Sequence, residues 1–463
     1  MCSFIFTRTP RRLTDESVTA ANRLSKLRGP DKTAVQYYTD RWNKELMFLH
    51  NLLDISGHSI SQPVVATYHN QRMVAVFNGE IYNYKHFGDY LSDSECLIPI
   101  FRLHGRACSS HFDGEFAALI YDGRTNQAHI YTDPFLTKPL YLGRSEDPSH
   151  FGAATYASSL RSLGFTRIEM AEPNSRYDVA FGETQVHLMH NREVFKFCIS
   201  QTKNTYDDWC DAFLEAVKKR ALHGAYPPVV FMSSGYDSGA VCLALNLMNI
   251  KYETFSIMAG ESKAILRRRM ACNLKHACTQ AHSLPGLTQK ELEHIVKDIA
   301  EFVEPFTYVH QDASGHYSDL QSDGGAIGAS RLAQMSHSKS QRVNLSCTGA
   351  DEIISDYGFA GRKFCHHSEF GGHFPEDLSS IFPWKKFYRD TQRSYLFKDE
   401  YILGRNGIEG RYPFLDKCLV QEFLSLSAEL KNRTYKAPID YFLRKWNYPY
   451  ERLTKRGFSP GLP

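Results

Sequence analysis

The stretch from Val229 to Val241 reads VVFMSSGYDSGAV, and its residue types suit a phosphorylated ligand. Four apolar residues predict a buried strand, and the helical spacing of apolar residues after Ser238 predicts a helix. Between them, glycine and serine residues form a tight loop whose backbone N–H groups would face an anion. Asp237 would repel a phosphate unless a cation lay between them, so the loop predicts nucleotide phosphates with Mg²⁺. A plain turn with a helix N-cap is the alternative, and no Walker A lysine pattern is present.

A second acidic loop, CTGADEIISDYG, follows a predicted strand at 342–346. Asp351 of this loop is predicted to lie across the sheet from Asp237. Two carboxylates at strand ends, facing phosphates, are what a Mg²⁺-pyrophosphate site needs. The alternative is a helix N-terminus at which Asp351 and Glu352 only complement the helix dipole.

The elements that must position these loops change in type near residue 200. Before it, short strands with turn signals predict antiparallel sheets, including hairpins that join 64–68 to 73–77 and 116–121 to 128–131. A connector is predicted over 190–204, followed by a helix that Thr205 caps and Gly224 ends. Strands at 252–257 and 342–346 then alternate with helices, and the C-terminal third is mostly helical. This alternation predicts a parallel sheet that binds ligands at the carboxyl ends of its strands.

Composition restricts the class of protein. The 463 residues carry 54 Lys and Arg against 51 Asp and Glu, a net charge of +3, which argues against nucleic-acid binding as the main purpose. No apolar stretch approaches the length of a membrane span, and the N-terminus has no signal-peptide core. The eleven cysteines are scattered without a C-x-x-C pair. We therefore expect reduced thiols, a cytoplasmic location, and neither a membrane nor a nucleic acid as partner.

The two acidic loops, SSGYDSG and SCTGADE, resemble the nucleotide loops of the asparagine synthetase family. Further motifs occur in the family's order: RGPD (28–31), FNGEIYNY (77–84), SDSE (92–95), TDPFLTKPLY (132–141), EGRYPFLD (409–416) and KRGF (455–458). They extend over essentially the whole chain. The resemblance implies a glutaminase over 1–195, an N-terminal-nucleophile (Ntn) hydrolase with an α/β/β/α antiparallel sandwich. It also implies an adenylating domain over 205–463, with a parallel α/β sheet and a helical C-terminal part.

In this family glutamine is hydrolysed to glutamate and ammonia, and the ammonia passes through an internal tunnel to the second domain. There ATP adenylylates a carboxylic acid, pyrophosphate leaves, and ammonia displaces AMP to give an amide. The resemblance makes Cys2 the nucleophile once Met1 is removed, because a free α-amino group with a pKa of about 7.7–8.0 can accept the thiol proton. It implies an oxyanion hole at Asn78 and Gly79, and glutamine binding at Asp93 and Glu80.

For the second domain the resemblance implies ATP and Mg²⁺ as cofactors. Lys455 would steady charge as the acyl-adenylate forms and breaks, and a homodimer is the family's assembly. The substrates would be glutamine and a carboxylic acid. The implied ligands of Mg²⁺ are Asp237 and Asp351, and the implied ATP and pyrophosphate ligands are Ser233, Ser234, Gly235, Asp237, Ser238, Ser346 and Gly349.

The sequence departs from the family pattern in three ways. In the two acidic loops, Cys347 and Ser234 each replace a glycine, which makes the loops slightly bulkier without removing a charge. Leu52 replaces the arginine that grips the glutamine carboxylate, and the loss of a charged hydrogen bond predicts about 10- to 150-fold weaker glutamine binding. Arg41 and Lys44 are candidates to compensate. Thr348 replaces the glutamate that serves amide formation in asparagine synthetases, where β-lactam synthetases carry tyrosine.

These departures leave two hypotheses open. In one, the chain is a glutamine-dependent amide synthetase whose acceptor is either aspartate or another carboxylic acid, and the acceptor pocket draws on Glu409, Arg411 or Tyr357. In the other, the glutaminase is vestigial, and the ligase uses free ammonia or a substrate amine, as β-lactam synthetases and lasso-peptide cyclases do. A non-enzymatic binding or regulatory protein on the same scaffold is a third hypothesis, which Asp237, Asp351 and Lys455 together oppose.

Overall fold

The computed structural model describes residues 2–68, 70–454, 458 and 460–461. The chain divides into two compact units. The first comprises Met1–Lys196 together with Gly404–Gly407, and the second comprises Phe197–Leu403 and Ile408–Pro463. The change of structural class predicted near residue 200 falls at the division between them.

Among the described residues, the first unit contains two six-stranded antiparallel sheets. Their strands follow the orders β10-β8-β9-β1-β3-β2 and β12-β11-β7-β6-β5-β4. The strands are β1 (Ser3–Thr9), β2 (Lys32–Thr39), β3 (Glu45–Leu52), β4 (Val64–Tyr68), β5 (Gln71–Ile81), β6 (Gly114–Asp122), β7 (Gln127–Thr132), β8 (Tyr141–Arg144), β9 (Phe151–Ala154), β10 (Arg167–Met170), β11 (Ser175–Phe181) and β12 (Val186–Arg192).

The two sheets pack face to face, with β1 against β5. Aromatic rings fill the space between them: Phe6 and Phe48 from one sheet contact Tyr121 and Phe181 from the other. Helices cover the outer faces, with α1, α2 and α4 on the sheet that contains β1 and with α3 on the other. They are α1 (Asp15–Asn22), α2 (Ser25–Arg28), α3 (Leu97–His104) and α4 (Ala157–Ser162). The first unit is therefore an α/β/β/α sandwich.

The second unit is built on a parallel sheet of order β15-β14-β13-β16-β19. Its apolar core includes Val229, Phe255, Ile257 and Leu332. The strands are β13 (Val229–Phe231), β14 (Tyr252–Ile257), β15 (Cys278–Leu284), β16 (Val343–Leu345) and β19 (Glu409–Arg411), and β17 (Gly358–Phe359) pairs separately with β18 (Arg362–Lys363). Because β13 and β16 are parallel neighbours, the loops after them emerge at the same edge of the sheet.

Helices account for most of the chain after residue 385. From residue 207 onward the helices are α5 (Asp207–Leu222), α6 (Tyr236–Leu247), α7 (Lys263–Asn273), α8 (Gln289–Phe302), α9 (Gly324–Ser338), α10 (Ala350–Ile354), α11 (Lys385–Tyr388), α12 (Thr391–Arg405), α13 (Lys417–Ser425), α14 (Ala428–Lys431) and α15 (Ala437–Lys445). In the part of the chain that the structure describes, no helix is both long and apolar enough to cross a bilayer.

The structure confirms both predicted hairpins and the strand at 252–257. Two predicted boundaries are wrong. The connector does not begin at 190, because β12 continues to Arg192 in register with β11. Thr205 does not cap the following helix. The N-cap residue is Tyr206, which makes no side-chain cap hydrogen bond. The Tyr206 hydroxyl instead donates to the Leu430 carbonyl oxygen over 2.7 Å, and this contact holds the start of the helix.

Candidate functional site

The first acidic loop connects β13 to α6, and Ser238 closes it. The Ser238 hydroxyl accepts from the Ser233 backbone N–H at 3.0 Å and lies 2.9 Å from the Ser233 hydroxyl. The Gly235 N–H donates to Ser233 Oγ at 3.2 Å, and the Ser234 N–H donates to the Glu261 carboxylate. Serines and glycine therefore form a compact turn that ends at the N-terminus of α6, where Asp237 lies in the first helical turn.

Arg269, on α7, holds this loop from behind. Its side chain is fully buried and donates to the carbonyl oxygens of Ser233 (2.5 Å) and Gly235 (2.8 Å), and to that of Pro449 (2.8 Å). A Cβ atom added to Gly239 would lie 2.4 Å from its guanidinium, so only glycine lets the arginine approach α6 this closely. Sequence reasoning missed Arg269, because an isolated arginine on a helix has no local signature of this role.

The second acidic loop connects β16 to α10 through Gly349, which has a φ of +103°. L side chains rarely adopt this conformation, and an added Cβ atom would lie 2.5 Å from Leu415. Ser346 and Thr348 both donate to the same oxygen of Asp399, each over 2.7 Å. Burial raises the pKa of Asp399 above its usual range, although the Lys398 ammonium and the two hydroxyl groups oppose that rise.

Lys436 connects the two loops. Its Nζ atom lies 2.7 Å from each carboxylate oxygen of Asp237 and 3.0 Å from Oδ1 of Asp351. Burial alone would lower the pKa of Lys436, but the two carboxylates outweigh it and hold the pKa above its ordinary value. The two aspartates therefore converge on one point at the carboxyl edge of the sheet. Sequence reasoning did not select Lys436.

A cavity of about 260 Å³ opens beside this point. Its lining includes Asp237 and Ser238 from the first loop, Thr348 and Asp351 from the second, and Tyr357. Carboxylate oxygens are the hard ligands that Mg²⁺ prefers, and these two carboxylates already share a single cation through three oxygen atoms. The residues therefore fit a Mg²⁺ ion. Lys455 lies outside the described residues.

In the first unit, the region around Cys2 lies where β1 begins. Arg28 is buried, and its Nε atom donates to the Cys2 carbonyl oxygen over 3.1 Å. The Cys2 sulfur lies 3.9 Å from the Leu53 carbonyl oxygen, just after the end of β3. RGPD is thus the segment that orients the residue predicted as nucleophile.

Asn78, Gly79 and Glu80 lie near the end of β5, the strand that packs against β1. The Asn78 amide is completely buried, and neither of its polar atoms has a hydrogen-bond partner among the described residues. Gly79 has a φ of +133°, and a Cβ there would lie 1.9 Å from the Glu115 carbonyl oxygen. Asp93 accepts from the Ile81 N–H over 2.8 Å, which ties it to the same strand end. An unpaired buried amide is costly, so a ligand that bonds Asn78 would stabilise this site.

Two other motifs of the sequence have structural roles. Asp133, in TDPFLTKPLY, accepts from the backbone N–H groups of Phe116, Phe135 and Thr137 at 2.9–3.0 Å, and burial raises its pKa to about 6. In EGRYPFLD, Arg411 binds Glu409 over 2.6 Å and does not line the cavity. Of the three candidates for the acceptor pocket, Tyr357 alone borders it in the part of the chain that the structure describes.

Comparison with known proteins agrees with this architecture. A family model described as a glutamine amidotransferase domain matches residues 1–194, and one described as asparagine synthase matches residues 208–381. The putative asparagine synthetase (glutamine-hydrolyzing) 1 of Methanocaldococcus jannaschii is 24% identical over 433 residues, which cover 84% of this chain and 72% of that protein. The probable asparagine synthetase (glutamine-hydrolyzing) of Schizosaccharomyces pombe is 24% identical over 466 residues, which cover 94% and 77%.

The chain belongs to the asparagine synthetase family. A solved structure of the allosteric regulatory enzyme of purine biosynthesis is also similar, at 11% identity and a TM-score of 0.36, over 61% of this chain and 80% of that one.

Relative to the asparagine synthetase pattern, Leu52 is the last residue of β3 and precedes Leu53, whose carbonyl oxygen lies 3.9 Å from the cysteine sulfur. Arg41 and Lys44 lie between β2 and β3, at the opposite end of the strand, roughly 25 Å away along eight residues at about 3.3 Å each. Arg41 donates there to the Arg124 carbonyl oxygen over 2.7 Å. Neither residue is placed to replace the missing arginine, so that prediction is wrong.

Proposed function

We propose that this chain is an ATP-dependent amide synthetase that takes its ammonia from glutamine. Residues 1–195 would hydrolyse glutamine, and residues 205–463 would adenylylate a carboxylic acid, release pyrophosphate and form the amide. The observation that carries the proposal is the convergence of Asp237 and Asp351, from the ends of two neighbouring parallel strands, on one cation position beside a cavity. Phosphates and Mg²⁺ are the ligands that this arrangement suits.

The roles of the site residues are part of the proposal. Ser233, Ser234, Gly235 and Ser238 would supply N–H and hydroxyl donors to the phosphates, because they form the turn at the N-terminus of α6. Ser346 and Gly349 would border the AMP side. Mg²⁺, when bound between Asp237 and Asp351, would neutralise the charge of the leaving pyrophosphate.

The glutaminase part of the proposal rests on Cys2, Asn78 and Gly79. Asn78 keeps a buried amide without a partner among the described residues, which is what an oxyanion or a glutamine carbonyl would use. Asp93 and Glu80 would bind glutamine near the end of β5.

A second candidate function is a ligase that uses free ammonia or a substrate amine, with an inactive first unit. Leu52 favours this second candidate. It precedes Leu53, whose carbonyl oxygen lies 3.9 Å from the Cys2 sulfur, and its apolar side chain cannot bind the carboxylate of glutamine. The two candidates share the nucleotide chemistry and differ only in the source of nitrogen.

Two measurements on the full chain test these proposals. The first incubates the protein with Mg²⁺, ATP, hydroxylamine and a mixture of carboxylic acids that includes L-aspartate, and detects AMP, pyrophosphate and hydroxamates by mass spectrometry. Formation of ADP and phosphate instead, or equal turnover by Asp237→Ala, would overturn the adenylylation. Asp211→Ala, at an exposed carboxylate on α5, is the control.

The second measures glutamate release from glutamine, with Cys2→Ala beside the native protein and Cys198→Ala at an exposed thiol as control. Release that is lost only in Cys2→Ala supports the glutamine-dependent synthetase. No release from protein with a free N-terminal cysteine supports the ligase with an inactive first unit.

A further inference from the structure

The ammonium group of Lys436 has every donor engaged by the residues that would bind Mg²⁺. A lysine ammonium has three N–H donors, and three carboxylate oxygens lie within 3.0 Å of it, two from Asp237 and one from Asp351. Its side chain is 1% exposed. The positive charge therefore lies where the two carboxylates would otherwise hold a metal ion.

We propose, on the basis of the proposed nucleotide site, that Lys436 occupies the metal position in the nucleotide-free protein and excludes Mg²⁺ until the ion arrives with ATP. A divalent ion that entered alone would have to share two carboxylates with a fixed ammonium a few ångströms away, and this repulsion weakens its binding. ATP would remove this repulsion, because its phosphates would accept hydrogen bonds from the Lys436 ammonium and leave the two carboxylates to bind the ion. Lys436 is thus a positioning residue that couples metal binding to nucleotide binding.

The backbone around Lys436 is held in place, so the exchange of partners would be made by its side chain. Lys436 is the N-cap residue of α15, in a left-handed conformation with a φ of +48°, which is uncommon for a residue other than glycine. The preceding Tyr435 is buried, and its hydroxyl donates to Asp351 over 3.2 Å. The backbone is therefore anchored on both sides, and the four-carbon stem of the lysine can carry the ammonium from the carboxylates to a phosphate by side-chain rotation.

The test measures binding of Mn²⁺ alone by electron paramagnetic resonance, on the full chain without nucleotide. The native protein should show no tight Mn²⁺ site, whereas Lys436→Met should bind one ion at least about tenfold more tightly, because the competing charge is gone. Lys436→Arg keeps a positive charge and should behave like the native protein. Lys445→Met removes a lysine from an exposed part of the same helix and should also change nothing. The double variant with Lys436→Met and Asp351→Asn should lose this gain in Mn²⁺ affinity.

Equal Mn²⁺ affinity of the native protein and a folded Lys436→Met would overturn the inference. If Lys436→Met does not fold, the native protein still decides: one tight Mn²⁺ ion without nucleotide, lost in Asp237→Asn, overturns it, and no such ion supports it. Calorimetry with ATP and Mg²⁺ tests the proposed function independently of whether Lys436 excludes the metal ion. A native protein that binds ATP with Mg²⁺ but admits Mn²⁺ alone contradicts the exclusion only, whereas one that binds no ATP contradicts the function itself.

Discussion

Thr348 donates a hydrogen bond to Asp399 over 2.7 Å, so a half-buried carboxylate lies beside the position at which asparagine synthetases carry a glutamate. The acid that is missing from the loop is thus present on α12, 51 residues further along the chain. Ser346 donates to the same oxygen, and Asp399 borders the cavity. A proton released during amide formation could reach Asp399 directly or through the Thr348 hydroxyl.

We expect Asp399→Asn to slow amide formation by about 10²- to 10⁴-fold, the usual contribution of a general base. Binding of ATP with Mg²⁺ should change little, because Asp399 is not one of the two carboxylates that share Lys436. The measurements are product formation with an acid found in the hydroxamate screen, and calorimetry for the nucleotide. Asp399→Glu should recover part of the rate. If a folded Asp399→Asn variant formed product at the native rate, the role of Asp399 would be limited to holding the second acidic loop.

Leu52→Arg should restore a charged partner for the glutamine carboxylate. We expect the KM for glutamine to fall by about 10- to 150-fold, the value of one charged hydrogen bond. Position 52 is next to Leu53, whose carbonyl oxygen lies 3.9 Å from the cysteine sulfur. Glutamate release at varied glutamine concentrations is the measurement, and Leu91→Arg, at a leucine that is 58% exposed, is the control. An unchanged KM would mean that glutamine binds in another orientation.

Asp416→Asn should destabilise the second unit. Asp416 is buried, lies 2.7 Å from Arg220 and 2.5 Å from Lys219, and accepts from the Cys418 N–H at the start of α13. Its removal would take away the carboxylate that pairs with the buried Arg220 guanidinium, at a cost of about 3–5 kcal/mol. Chemical denaturation of the native protein, the variant and the exposed control Asp211→Asn measures the difference.

The same ion pair predicts how stability depends on pH. Burial would raise the pKa of Asp416, but Arg220 and Lys219 outweigh it and hold the pKa well below its usual range. The stabilisation is therefore complete above the unfolded pKa of about 3.9 and is lost as the pH falls towards the folded pKa. We expect the difference in unfolding free energy between the native protein and Asp416→Asn to be constant from pH 5 to 7 and to shrink below about pH 4. A difference that grows in acid would contradict this assignment.

Gly349→Ala should distort the second acidic loop. The alanine would keep an unfavourable φ of +103° and bring its Cβ atom to 2.5 Å from Leu415. We expect a loss of about 1–3 kcal/mol of stability and weaker binding of ATP. Gly315→Ala is the matched control, because Gly315 has a φ of +82° with no atom within 4 Å of the added Cβ. Equal losses in the two variants would assign the effect to the backbone alone and not to contact with Leu415.

Local patterns predicted much of this fold. The strand at 252–257 has the predicted bounds, and the hairpin from β6 to β7 surrounds the predicted turn, because alternation and turn residues act over a few positions. The glycine and serine loops were also visible, since each lies within a dozen residues. The start of α5 was predicted wrongly, because a tertiary contact of Tyr206 decides it and not the capping propensity of Thr205.

The residues that sequence reasoning missed are those that reach the site from a distance. Lys436 meets Asp237 across 199 residues, and Arg269 meets the Ser233 carbonyl across 36. Asp399 is one of two adjacent acids, with Glu400, on an otherwise ordinary helix. In each case the residue type is common, and only the tertiary packing of α15, α7 or α12 gives it a role. A single sequence contains no local signal for such contacts.

The distance along the chain between the two candidate sites has a consequence for protein synthesis. The continuous part of the first unit ends at Lys196, whereas the cation position beside Asp237 is complete only after Lys436 has been added, roughly 240 residues later. At ~5–20 residues per second, ribosomes need on the order of 10–50 s for this interval. During it, a nascent chain whose first unit had folded and become active would turn glutamine into glutamate and free ammonia with no acceptor to receive it.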